Sequence, residues 1–176
     1  MITIKKLIKK DAKGVRDFCF KIIKEVYGFS YRVDWHDDLD DLLGEEVYSV
    51  RNKGLFLVAK DKNEIVGTLG MRTLNSRPKI VGLFQNRGYG DEKNIASIWR
   101  TYISKEYRAK GIGSMLYQKA EEYIREKGFE IIYLHISRNN PGALSFWTKM
   151  GFLIILEEKN EDKTVHMEKV LNLFHG

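Results

Sequence analysis

EYRAKGIGSMLYQKA, residues 106–120, changes character at its middle. Ahead of it, IASIWRTYIS (95–104) alternates like a strand; from its second half, SMLYQKAEEYIREKG (114–128) repeats like a helix. The join carries Gly111 and Gly113, flanked by Arg108 and Lys110. A tight turn needs at most one glycine. Two glycines beside fixed positive charge predict that an anion lies against bare backbone. The amides of residues 109–114 open a helix, so several precede any intrahelical acceptor and carry the positive end of its dipole. Without Cβ atoms the backbone can be approached closely. A merely flexible connection is the alternative, since a glycine pair is a weak signal alone.

Outward from the join, Ile112, Leu116, Ala120, Tyr123 and Ile124 share one helical face, and Gly128 closes the helix. FEIIYLHIS is apolar enough to be a central strand. RNNPGALSFWTKMGF opens a second helix with Asn140 and Pro141 as cap and first turn, Ala143, Phe146, Trp147 and Met150 at helical spacing, and Gly151 as its end. FLIILEEKNEDKTVHMEKVL reads as a closing hairpin. Towards the N-terminus, 2–8 is a short strand, and Asp11 is the expected N-cap of a helix to Tyr27 that Gly28 ends. DWHDDLDDLL predicts a second helix stopped by Gly44, and GLFLVAKDKNEIVGTLGMRTL a hairpin turning at DKN. NSRPKIVGLFQNRGYGDEKN reads as a long loop with a short strand at KIVGLF. The order is β-α-α-β-β-β-α-β-α-β-β, an α/β fold with a mixed sheet, expected as one domain over 1–176.

The composition is that of an ordinary globular chain, 43% hydrophobic and 31% charged over 176 residues. The longest apolar runs are strand-sized, so no membrane span or signal peptide is expected, and the expected location is cytoplasmic. The single cysteine, Cys19, fits a reducing compartment and a place in the core. Cysteine and histidine are not spaced for a metal, so none is expected. The net charge of +6 is unevenly spread: the acidic segment 34–46 has no Lys or Arg, so the rest of the chain is more basic than the total suggests. A basic body could hold nucleic acid or a polyphosphate; without aromatic–basic interleaving, nucleic acid is not expected.

Two familiar phosphate loops fail. GIGSML lacks the lysine of the nucleotide-triphosphatase loop, and Leu116 stands where a dinucleotide fingerprint needs its third glycine. R108-A-K-G111-I-G113 instead resembles the Arg/Gln-x-x-Gly-x-Gly/Ala signature of the GNAT superfamily of acyl-CoA-dependent N-acetyltransferases. YISKEYR resembles its strand lead-in, and N140-x-x-A143-x-x-F146-W147-x-K149-x-G151-F152 its second segment. The resemblance implies two splayed parallel strands, 95–104 and 130–136, with acetyl-CoA entering the gap. The backbone at Ile103 and its neighbour Tyr102 would pair with the pantetheine arm. The diphosphate would sit on Arg108, Ala109, Lys110, Gly111, Ile112, Gly113 and Ser114. Asn140, Ala143 and Phe146 would line the arm, Asn140 doubling as a cap.

The implied reaction is acyl transfer to an amine by direct attack, with a backbone N–H near Ile103 stabilising the oxyanion. The usual glutamate base is replaced by Ser97, and the usual tyrosine acid by Trp147. Glu92 and His135 are substitute bases, with Ser97 able to orient a water; Tyr102 and Tyr133 are candidate acids. The acceptor is expected to be a small-molecule or peptide amine. Asp37, Asp38, Asp40 and Asp41 would favour a cationic one if they wall the acceptor site. A solvated acidic helix is the other reading of those carboxylates. A homodimer is left open. The departures at Ser97 and Trp147 also admit a second class of function, a module that binds acetyl-CoA without efficient turnover.

Overall fold

The structure is a computed structural model; it describes residues 1–28, 30–44, 47–90 and 94–172. In chain order it contains β1 (Ile2–Lys6), α1 (Ala12–Tyr27), α2 (Val33–Asp40), β2 (Leu55–Asp61), β3 (Glu64–Thr73), α3 (Pro78–Leu83), β4 (Ile95–Ile103), α4 (Ile112–Glu126), β5 (Ile131–Ser137), α5 (Pro141–Lys149), β6 (Leu153–Glu157) and β7 (Thr164–Val170). The strands are hydrogen-bonded in the order β1-β2-β3-β4-β5-β7-β6. β4 and β5 are parallel, with register Ile95↔Ile131, Ala96↔Ile132 and Ser97↔Tyr133.

The chain forms two compact units, Met1–Arg72 with Trp99–Tyr123, and Thr73–Ile98 with Ile124–Gly176, so β4 contributes a half to each. In the first unit, Val15, Phe18, Cys19, Ile22 and Ile23 line the inner face of α1 and pack with Leu39, Leu42, Tyr48, Phe56 and Val58. Each such side chain contributes roughly 1.5–3 kcal/mol of transfer free energy. α4 also belongs to this unit through its first three turns. A Cβ on Gly67 would lie 2.9 Å from Ile103 Cδ1 and 3.2 Å from a Leu116 methyl, so the glycine permits close packing between β3 and α4. In the second unit, Leu74, Phe84, Tyr89, Ile95, Ile131 and Tyr133 form the core.

Three local expectations are corrected. KIVGLF is helical, not a strand: Pro78 occupies the first turn of α3, and Ile80, Val81 and Phe84 reach the second unit's core at helical spacing. α2 ends at Asp40, not at Gly44; Leu39 and Leu42 both turn into the core, and Gly44 N closes a separate turn on Asp41 O at 3.0 Å. Asp11 precedes α1 as expected but does not cap it. Its φ of −95° is helical, and its carboxylate pairs with Lys60 Nζ at 2.7 Å. Gly28 and Gly128 end their helices in left-handed conformation, as the sequence indicated. Asn140 caps α5, its Oδ1 accepting from Ala143 N at 3.2 Å.

Candidate functional site

The glycine loop lies within the first unit. β4 gives way to a turn at Lys105–Tyr107. Arg108 is extended (φ −68°, ψ 155°), Ala109 is left-handed (φ 58°), and Gly111 is left-handed again (φ 81°) before α4 begins at Ile112. Such alternation turns successive N–H groups towards a common point, the concavity that receives anions in other phosphate sites. The first helical bond of α4 runs from Met115 N to Gly111 O at 3.0 Å. The amides of Ile112, Gly113 and Ser114 therefore precede the ladder at the positive end of the dipole. A Cβ built on Gly111 would meet no heavy atom of the described residues within 4 Å. The space over this glycine is open, so the backbone leaves room that a side chain there would take. Ala109 holds its conformation at a cost of about 1–2 kcal/mol, strain that a bound anion would offset.

The flanking cations are placed by the same unit. Arg108 donates from Nε to the Ile103 carbonyl at 3.1 Å, which anchors the stem of an otherwise exposed side chain. Lys110 Nζ lies 5.2 Å from the Tyr107 ring centre, and Tyr107 donates to Asp61 at 3.2 Å. Arg108, Ala109, Lys110 and Gly111 are exposed and Gly113 and Ser114 half-buried. Ile112 is buried, so it can offer a ligand only its amide. Beside the loop is a polar cavity of about 450 Å³ lined by Lys21, Glu25, Val26, Ser104, Lys105, Glu106 and Arg108.

Upstream on β4, Arg100 sits mid-strand with φ 50°, a left-handed residue without glycine's freedom. Its carbonyl accepts from Thr68 Oγ1 at 2.8 Å. Its guanidinium grips both Asp38 oxygens, Nε–Oδ2 at 3.0 Å and Nη2–Oδ1 at 2.6 Å, and also donates to the Trp35 carbonyl. Tyr48 adds a 2.6 Å bond to Asp38 Oδ2. Burial pushes the Asp38 carboxyl up, but the bonds and charge of Arg100, helped by Tyr48, outweigh it and hold the group below the usual range. Arg100 is itself raised: desolvation opposes its charge, and the Asp38 bonds prevail. Nη1 lies 3.4 Å from Tyr102 Oη, whose pKa burial pushes up to about 12. A phenol held that high keeps its proton at neutral pH. Cys19, fully buried against Thr68, is likewise pushed up to about 12 by burial and is an inert core thiol.

This pairing corrects the expectation for the acidic segment. Asp38 is buried and bound to Arg100, and Asp40 is bound to Arg16 at 2.9 Å and to Tyr31. Asp38 is a structural carboxylate, and Asp40 is an exposed one held in a surface ion pair. Asp34, Asp37, Asp40 and Asp41 are exposed among the described residues of the segment, Asp40 within its pair to Arg16.

In the second unit, Ser97 is fully buried beside Tyr133 in the parallel ladder. Tyr133 Oη is 2.7 Å from His166 Nδ1, and His166 Nε2 is 2.6 Å from Glu158 Oε1. Burial, then the Glu158 charge, raises the Tyr133 pKa, so this phenol also remains protonated. His135 is exposed, and its ring centre lies 6.2 Å from that of Tyr133 and 6.1 Å from that of His166. Glu168 receives Tyr89 at 2.6 Å and Arg87 at 2.5 Å. Phe146 and Trp147 pack edge to face at 4.8 Å, Trp147 buried and Phe146 half-buried like Ala143. Glu92 lies outside the described residues. The sequence reading missed His166, although TVHMEKV alternates His166 and Glu168 against Val165 and Met167. It also missed the Asp38–Arg100 pair, whose partners lie 62 positions apart. Among the described residues no helix is long and apolar enough to cross a membrane, and no cluster of three or more His, Cys, Asp or Glu could hold a metal ion.

Against known proteins, a model of the acetyltransferase (GNAT) family matches residues 20–152. An uncharacterised N-acetyltransferase of Methanocaldococcus jannaschii is 32% identical over 62 residues, 35% of this chain and 27% of that protein. The spermidine N(1)-acetyltransferase of Thermoplasma acidophilum is 34% identical over 76 residues, 43% of this chain and 45% of that protein. The chain thus spans less than half the length of these two relatives. The PaiA N-acetyltransferase of Thermoplasma acidophilum, solved with coenzyme A, superposes with a TM-score of 0.71 at 25% identity, covering 97% of this chain and 99% of that one. A GNAT-family acetyltransferase of Staphylococcus aureus gives 0.77 at 21% identity, covering 98% and 100%, a likeness of fold.

Proposed function

The chain belongs to the acetyltransferase (GNAT) family, and from that premise we propose that it transfers an acetyl group from acetyl-CoA to an amine, its loop 108–114 seating the diphosphate. The observation that carries the reading is the pair of left-handed residues, Ala109 and Gly111, beneath open space at the mouth of α4. Arg108 and Lys110 add full charge to the partial charges of the amides. Acetyl-CoA supplies the activated carbonyl as a thioester. The chain's own contribution is to hold that group along β4, with the Ile103 amide as the proposed oxyanion donor, and to manage the amine's proton.

An aliphatic ammonium has a pKa of about 10, so a proton must leave before attack. Serine at position 97 cannot serve as the base, and its burial leaves it a water-orienting role at most. His135 is the exposed imidazole of β5 and the base we propose. Tyr102 and Tyr133, the candidate acids, are raised so far by burial that neither gives up its proton readily; the role left to Tyr102 is a hydrogen bond to the departing thiolate, while Tyr133 Oη is already bonded to His166. The relative that acetylates spermidine supports an amine acceptor, and the exposed Asp34, Asp37 and Asp41 favour a cationic one.

The test is thermal shift with acetyl-CoA, followed by thiol release with spermidine and with a short peptide as acceptors. Acetyl-CoA should raise Tm, and Gly111→Val and Gly113→Val should each abolish the rise. A retained rise in both variants would move the ligand elsewhere. The second reading, a binding module, is favoured by serine at the base position; it predicts the shift with no thiol released by any amine.

A further inference from the structure

Thr101 follows the Arg100 kink on β4, and its hydroxyl oxygen is buried with no hydrogen-bond partner among the described residues. A buried hydroxyl with no partner is destabilising, so such groups in native structures call for an explanation. The neighbours on either side are fully engaged. Arg100 is committed to Asp38 and Thr68, and Tyr102 Oη lies within reach of Arg100. Strand alternation puts Thr101 on the opposite face from Tyr102 and on the same face as Ile103. That is the face packed by the start of α4, since the Ile103 methyl meets Ile112 and Leu116 around Gly67. The orphan hydroxyl therefore stands about 7 Å up the strand from Ile103, on the same face of β4.

We propose that the Thr101 hydroxyl is a ligand donor, completed by a carbonyl oxygen of the acyl-pantetheine arm that extends from the diphosphate. This rests on the proposed acetyl-CoA reading and deepens it by assigning a side chain to the arm itself. An arm carbonyl offers an acceptor without a donor, which is what a lone hydroxyl proton requires. The carbonyl is either an arm amide, present in CoA, or the thioester, present only in acetyl-CoA.

Thr101→Val keeps the shape and removes the hydroxyl. Two effects of opposite sign are expected. The ligand-free variant should gain stability, a Tm rise of roughly 2–4 °C, because a buried unsatisfied group is gone. Its affinity for the ligand should fall roughly 3- to 12-fold by calorimetry. Three ligands locate the carbonyl. An equal loss with CoA and acetyl-CoA and none with ADP assigns the amide; a loss with acetyl-CoA alone assigns the thioester. Thr101→Ser should retain wild-type affinity. Unchanged affinity of the valine variant for both CoA and acetyl-CoA overturns the proposal while leaving the diphosphate reading intact. A matching loss with ADP, or a fall in ligand-free Tm, means the hydroxyl has an internal structural role and overturns it too. If the wild type binds none of the three, the acetyl-CoA reading fails and the Thr101 assignment with it.

Discussion

The loop at 108–114 and the kink at Arg100 both place residues other than glycine in the left-handed region, and they do so by opposite means. At the loop, Ala109 and Gly111 are exposed, and the space above Gly111 is open. At the kink, Arg100 is pinned through its carbonyl by Thr68 and through its guanidinium by Asp38 and Trp35. One distortion is built from local backbone and faces outward. The other is built from side chains distant in sequence and is buried. The difference separates a conformation kept for a ligand from one the protein satisfies by itself.

The sharpest way to break this comparison is Asp38→Asn. It leaves the Arg100 charge buried without its counter-ion, and the expected loss is about 3–5 kcal/mol in urea unfolding. The pH dependence has a definite sign. The folded Asp38 pKa is depressed, so its stabilisation is complete above the unfolded value of about 3.9 and disappears as pH falls through the folded value. Wild-type stability should drop steeply below about pH 4, and the variant should show a shallower drop. A loss below about 1 kcal/mol would make Arg100 an ordinary surface kink.

Gly111→Val tests the other side. A Cβ here meets none of the described atoms within 4 Å, but the branched residue is forced into φ 81°, at a cost of about 1–2 kcal/mol in stability. Its effect on acetyl-CoA should be larger, a loss of at least about 100-fold in affinity, or about 2.7 kcal/mol. Stability lost with affinity retained would make the glycine merely conformational.

The loop was legible in the sequence because its determinants are consecutive: strand alternation, two glycines, two cations and a helical period lie within one short stretch. The kink was not, because nothing near Arg100 announces a partner 62 residues earlier. The same limit explains the carboxylates. From residue types alone Asp38 and Asp37 are equivalent, yet α2 buries the first and exposes the second. His166 was hidden for a related reason. Its alternation is visible, but that β7 lies between β5 and β6, with His166 opposite His135, is a property of the sheet order. KIVGLF was misread because a six-residue apolar run fits either period, and only the neighbouring core chooses.

Smaller effects sharpen the comparison. Arg108→Met removes one charge and its anchor on Ile103 but leaves the amides, so acetyl-CoA affinity should fall about 5- to 10-fold, close to 1–1.4 kcal/mol. Asp37→Asn with Asp41→Asn, exposed and outside the Arg100 clamp, should raise KM for spermidine about 2- to 3-fold and leave acetyl-CoA binding unchanged. No change in either constant would make these carboxylates a solvated face.

Backbone amide NMR during a titration with acetyl-CoA tests the central claim most directly, because it reports on N–H groups one by one. If peptide nitrogens in the left-handed turn hold the diphosphate, the largest shifts will fall on residues 109–114, and ADP alone will reproduce them. Shifts centred on another surface, with these six amides unmoved at saturation, would contradict the account.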